Sequence, residues 1–149
     1  MASTTRVLLD DRLLIEDLLV GLPRSTPDIS FLTTTYWYYR ACRAAVAGAG
    51  GHLSGIFQRV TADLQQRAIL SLLRLRDDIA LPDARATVPL MAEMANRHPR
   101  LNLLNLEAVA VAHLVGATVW LSEQGAAGLL TAVLDEENVS WRTVDIATN

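Results

Sequence analysis

The chain has no lysine and a single cysteine, Cys42, among its 149 residues. One cysteine excludes an internal disulfide framework. Without lysine, all thirteen cations are arginine. Arginine offers planar, bidentate recognition of phosphate, although genome base composition biases the same choice. A basic excess is also missing. The net charge of −3 argues against a general nucleic-acid binder and leaves room only for a local basic patch. No apolar run approaches the ~20 residues that a membrane span requires, so no membrane contact is expected. The opening Met-Ala-Ser-Thr-Thr-Arg carries neither a charged-then-apolar leader nor a small-residue cleavage site, and a cytoplasmic protein is expected. Gly48, Gly50 and Gly51 lack both the strand–glycines–helix order and the spacing of a phosphate-cradling loop.

What is present is a globular composition, 51% hydrophobic and 19% charged. The length fits one domain over residues 1–149, large enough to bury about 68–70% of its unfolded surface. Arg6-Val7-Leu8-Leu9-Asp10-Asp11 is an apolar run that stops at two carboxylates. A continuous apolar run is the mark of a strand buried on both faces. In open α/β sheets, chemistry gathers at the carboxyl ends of such strands, where the strand order reverses.

Residues 6–10 are therefore expected as the first strand. Leu14, Ile15, Leu18 and Leu19 then recur at helical spacing, and Gly21 and Pro23 end that helix. Residues 21–30 read as a loop. Phe31 to Ala47 reads as helical, starting near Thr33–Thr35, and carries all three tyrosines and one tryptophan at positions 36–39. One reading packs one side of this helix on the sheet. The other makes it a base-stacking or partner-binding face, and a homodimer through Trp37 is expected there, since exposed aromatic patches mark interfaces. One or two helices follow from His52 to Leu75. Thr61 can cap the second, with Leu64, Ala68, Leu72 and Leu75 on one face. Ile79–Leu81 is a short strand, and Asp83 caps a helix to about Arg97 with Pro89 in its early part or kinking it. Leu101–Val115 is a helix apolar nearly all round, hence buried on several sides. Thr118–Ser122 is a strand with Glu123 at its carboxyl end, Gly125–Leu134 a helix, and Trp141–Ile146 the last strand. This order predicts an α/β sandwich with a mostly parallel sheet of four or five strands.

Asp10 and Glu123 share one rim if their strands are neighbours. Mg²⁺ or Mn²⁺ takes hard oxygen ligands, commonly carboxylates and waters, and such ions polarise phosphate and activate water. Asp11 either joins the pair or points away. Glu107 lies on the buried helix, two residues beyond the neutral oxygen donor Asn105.

Three stretches together resemble the PIN-domain family across nearly the whole chain. Val7-Leu8-Leu9-Asp10-Asp11-Arg12-Leu13-Leu14-Ile15 resembles its opening strand, aspartate and short helix. Residues 105–117, with alternating alanines and a closing Gly116-Ala117, resemble its later helix. Thr118-Val119-Trp120-Leu121-Ser122-Glu123 resembles the strand that ends in Thr-x-Asp. The resemblance implies a three-layer α/β/α fold and a Mg²⁺- or Mn²⁺-dependent ribonuclease, often the toxin of a toxin–antitoxin pair, with RNA and an antitoxin-like protein as partners. Carried over, Asp10 matches the first acid and Glu123 the fourth. The third falls on Asn105, or on Glu107 with the alanine register shifted. The second falls where the chain reads Tyr36-Trp37-Tyr38-Tyr39-Arg40, with no acid. The implied catalytic set is Asp10, Glu123 and Asn105, and the implied metal set is Asp10, Glu123, Asp11 and Glu107.

Arginine in place of an acid works against a metal. At an effective dielectric of about 20, like charges ~4 Å apart repel by roughly 4 kcal/mol. Two functions are thus expected: a toxin-type endoribonuclease with weakened or lost catalysis, or a catalytically silent module that binds protein or RNA. Other motifs are weaker. His52, His98 and His113 are scattered, Ser122 has no nucleophile elbow, and Cys42 reads as a packed thiol. Asp135-Glu136-Glu137 reads as a solvated helix end.

Overall fold

The computed structural model describes residues 4–23, 28–47 and 60–146. The expectations for His52 and for Gly48, Gly50 and Gly51 lie outside the described residues. Five strands form one sheet: β1 (Thr5–Leu9), β2 (Ile29–Thr33), β3 (Ile79–Ala80), β4 (Thr118–Leu121) and β5 (Trp141–Thr143), in the order β3-β2-β1-β4-β5. Every pairing is parallel. Among the described residues the helices are α1 (Asp11–Leu19), α2 (Thr35–Ala47), α3 (Ala62–Leu73), α4 (Ala84–Arg97), α5 (Leu103–Val115), α6 (Glu123–Ala126) and α7 (Leu130–Glu136).

Alternation along the strands divides the core. Val7, Leu9, Phe31 and Trp120 face one side, where they pack with Leu13 of α1. Phe31 and Trp120 meet edge to face at 5.6 Å, a geometry that adds about 0.5–1.5 kcal/mol to area burial. The helices α1, α2 and α3 close over this side around Leu14, Ile15, Ala41 and Leu72. Leu8, Leu32, Val119 and Leu121 face the other side and pack against α4, α5 and α7. The result is the expected three-layer α/β/α sandwich, with a five-stranded, all-parallel sheet.

Several boundaries differ from the expectation. Residues 29–33 are a strand, where a loop and the start of a helix were expected. Only Thr34 separates β2 from α2, so no glycine or proline punctuates the change. Trp37 is 3% exposed and belongs to the core with α5, which corrects its expected place on a dimer surface. Tyr36 and Tyr39 are the exposed aromatics of that helix. Leu64 is exposed while Ala68 and Leu72 are buried, so the apolar face of α3 is shorter than expected. Pro89 lies inside α4, which continues past it. The expected helix 125–134 is two short helices, α6 and α7. Gly116 closes α5 in the left-handed conformation at φ 65°, where glycine has no side chain to strain.

Candidate functional site

The sheet order reverses between β1 and β4. Ligand sites of open α/β sheets lie at such a switch point, beyond the carboxyl ends of the strands. Asp10 stands immediately after β1 and is fully buried. It caps α1: the Leu13 N–H donates to its Oδ1 at 2.9 Å. Across the switch point, the Ser122 N–H and hydroxyl donate to its Oδ2 at 2.8 and 2.7 Å. Ser122 in turn caps α6, its Oγ accepting from Gly125 N–H at 3.2 Å. One carboxylate thus ties α1 to the turn after β4. Burial pushes the Asp10 carboxyl up to about 6, against the lowering pull of these donors. Gly125 lies so close that a Cβ there would run into Asp10 Oδ2. Neither Ser122 nor Gly125 stood among the site residues expected from sequence. Serine just after an apolar strand and before a helical acid is an N-cap signal that would have found the first.

Beside Asp10 opens a cleft of about 200 Å³. Asp11, Arg12, Arg40, Asn102, Asn105 and Gln124 contribute its polar lining. Asp11 is buried, and Arg40 Nε lies 3.1 Å from its Oδ2. That approach misses hydrogen-bond alignment, and Oδ2 accepts no hydrogen bond among the described residues. Burial raises the Asp11 carboxyl, while the Arg40 charge lowers it. Asn102 caps α5, its Oδ1 accepting from Asn105 N–H at 2.9 Å.

The other acids singled out in the sequence stand elsewhere. Glu107 is buried, and its two oxygens accept from the N–H groups of Thr35 and Tyr36 at 3.0 and 2.8 Å. With Thr34 Oγ1 accepting from Trp37 N–H at 3.0 Å, it satisfies the first donors of α2, which have no partner within their own helix. Its charge also suits the positive end of that helix. Glu123 is exposed at the first position of α6, and it is Gln124 that lines the cleft. Asn105 is half-buried at the cleft wall.

The resemblance implies Mg²⁺ or Mn²⁺ here, and the residues present do not fit one. Both oxygens of Asp10 and of Glu107 are engaged by protein donors. Asp11 faces a guanidinium. Among the described residues no three His, Cys, Asp or Glu side chains are grouped so as to hold a metal ion. The arrangement can present donors, from two arginines and three amides, around one buried carboxylate.

Outside the cleft, His98 caps α4 and its Nε2 lies 2.7 Å from Glu137 Oε1, with Arg97 on the same carboxylate. His98 and Arg97 hold the Glu137 carboxyl below its ordinary range. The segment 135–137 is thus a clamp between α4 and α7, not a purely solvated end. Among the described residues no helix is long and apolar enough to cross a membrane.

No protein-family model matches the sequence, and no curated protein matches it significantly. Similarity emerges at the level of structure. The chain superimposes on VapBC-1 from nontypeable Haemophilus influenzae, a PIN-domain toxin–antitoxin complex, with a TM-score of 0.56 and 12% sequence identity, covering 93% of this chain and 98% of that one. At that identity the likeness speaks for architecture, and with the parallel sheet and the aspartate at its switch point it gives this chain a PIN-like fold.

Proposed function

We propose that this protein is a relative of the PIN-type toxin ribonucleases in which metal-dependent hydrolysis has been lost, and that it acts by binding. The observation that carries this reading is the Arg40 Nε at 3.1 Å from Asp11 Oδ2. A fixed cation stands against Asp11 Oδ2, a buried oxygen that accepts no hydrogen bond among the described residues, while Oδ1 accepts from the Arg12 N–H at 2.9 Å. A divalent ion brought there meets a positive charge about as costly as one acid ligand is favourable. On this reading no Mg²⁺ or Mn²⁺ is required. Asp10, named as the first metal ligand from the sequence, serves to join α1 to the turn after β4. Glu107 serves α2, and Glu123 and Asn105 have no metal to share. The similarity to a toxin–antitoxin complex supports an antitoxin-like protein as partner, with RNA and a second copy of the chain as further partners to be assayed.

The experiment is calorimetric titration of the purified protein with Mn²⁺, alongside Asp10→Asn, followed by incubation with structured RNA in Mn²⁺. No saturable heat and intact RNA are expected. Micromolar Mn²⁺ binding that vanishes in Asp10→Asn, with RNA cleavage, would restore the nuclease reading.

A further inference from the structure

Helix α4 is covered on one side only. Of its fourteen residues, Thr87 and Met94 alone are buried, with Leu90, Met91 and Ala95 packed partly against the core. The opposite face runs in two rows of i±4 spacing. One row is Ala84, Val88 and Ala92; the other is Arg85, Pro89 and Glu93. All six are exposed, Val88 at 58%. The first row is small and apolar. Pro89 lies in the helix interior, where a proline forfeits a helical hydrogen bond, and it sets an apolar ring at the middle of the second row.

The charges of the second row are the specific part. The Arg85 backbone N–H donates to Asp83 Oδ1 at 3.0 Å, but neither the Arg85 guanidinium nor the Glu93 carboxylate has a partner among the described residues. Arg97, further along the same helix, is committed to Glu137. Arg85 stands four residues before Pro89 and Glu93 four after it, each about 6 Å away along the axis. A second α4 laid antiparallel, about a two-fold axis at Pro89, therefore sets each Arg85 level with Glu93 of the partner subunit. Both pairs form at once, because in a two-fold contact residue i meets j and j meets i. A partner surface of one charge sign would set either Arg85 or Glu93 against its like, which works against association. A second copy of the chain answers both. We infer that α4 is the face through which two copies of this protein pair, antiparallel, with the Ala84, Val88 and Ala92 rows in contact and an Arg85–Glu93 ion pair at each end. None of these residues lines the cleft, so the inference is independent of the metal-free reading. One helix face falls at the low end of specific interfaces, below about 1,200 Å² in total. A reversible pair with a midpoint on the order of 100 µM is expected.

The test is sedimentation equilibrium of the full chain at low ionic strength, from about 5 µM to about 1 mM. The average mass is expected to rise from one chain to two. Arg85→Glu and Glu93→Arg, both at exposed positions, each put like charges opposite one another twice and weaken pairing at least tenfold, with circular dichroism unchanged. The double variant restores pairing. An equimolar mixture of the two single variants pairs at concentrations where each alone is monomeric, since an all-acidic row then meets an all-basic one. A wild type that stays monomeric throughout overturns the inference. So does a dimer indifferent to both single variants, which places its contact on another face. Single variants that weaken pairing yet fail to pair with each other overturn the antiparallel register. Titration with Mn²⁺ bears on the metal-free reading alone and leaves these outcomes as they are.

Discussion

Asp10 has no exposed surface, yet three donors converge on it. Its carboxyl is raised from 3.8 to about 6 in the folded protein, so the native state holds its proton more tightly than the unfolded chain does. Proton binding therefore favours folding. The contribution is fully present below the unfolded value and is lost as pH rises through about 6. Each tenfold gain in proton affinity corresponds to about 1.36 kcal/mol, so the loss is on the order of 3 kcal/mol. Urea unfolding at a series of pH values across this window tests it, with Asp10→Asn as reference. Subtracting the variant removes the opposite trend of Glu137, whose lowered carboxyl contributes stability that is lost as pH falls. A wild-type-minus-variant difference that is flat across the window would refute the assignment. Gly125 belongs to the same scale: its bare Cα lets the turn after β4 close on the Asp10 carboxylate.

At the scale of elements, α2 is held at its start by a side chain from another layer. Glu107 lies inside the apolar face of α5 and reaches the first amides of α2. Glu107→Gln keeps the shape but turns one acceptor into a donor facing an N–H. A loss of about 1–3 kcal/mol is expected, read as a lower thermal midpoint by circular dichroism with or without Mn²⁺. A midpoint unchanged without metal and shifted only with it would return Glu107 to the metal set. This placement was not legible in the sequence. An acid on a buried helix declares that it has a partner, but not which one. The strand ends were more legible, because Val7-Leu8-Leu9 and Val119-Trp120-Leu121 are continuous apolar runs stopped by polar residues. So were the caps at Thr61 and Asp83, both of which accept from their own first turns. β2 was hidden because Ile29–Thr33 runs into the aromatic stretch of α2 with one residue between. Arg40 was noticed for its charge, but its approach to Asp11 depends on how α2 lies against α1, which no local pattern encodes.

For the molecule as a whole, the parallel sheet with helices on both faces sets one crevice between β1 and β4, and the cleft lies there. If that crevice works without metal, thermal stability is indifferent to chelation. A ligand present at 100 times its Kd raises stability by ~2.7 kcal/mol. Melting in EDTA and in excess Mn²⁺ is therefore expected to give one midpoint, and a rise of that size in Mn²⁺ would sink the metal-free reading. The strand order also has a temporal side. β1 takes its first neighbour, β2, from a segment about two dozen residues on, but Asp10 and Ser122 are 112 residues apart. At about 5–20 residues per second of synthesis, the central strand waits roughly 6–20 s for its other neighbour. Throughout that interval an apolar strand edge and an uncompensated carboxyl are open to water and to other chains, and a nascent chain stalled before β4 is the form of this protein most in need of a chaperone.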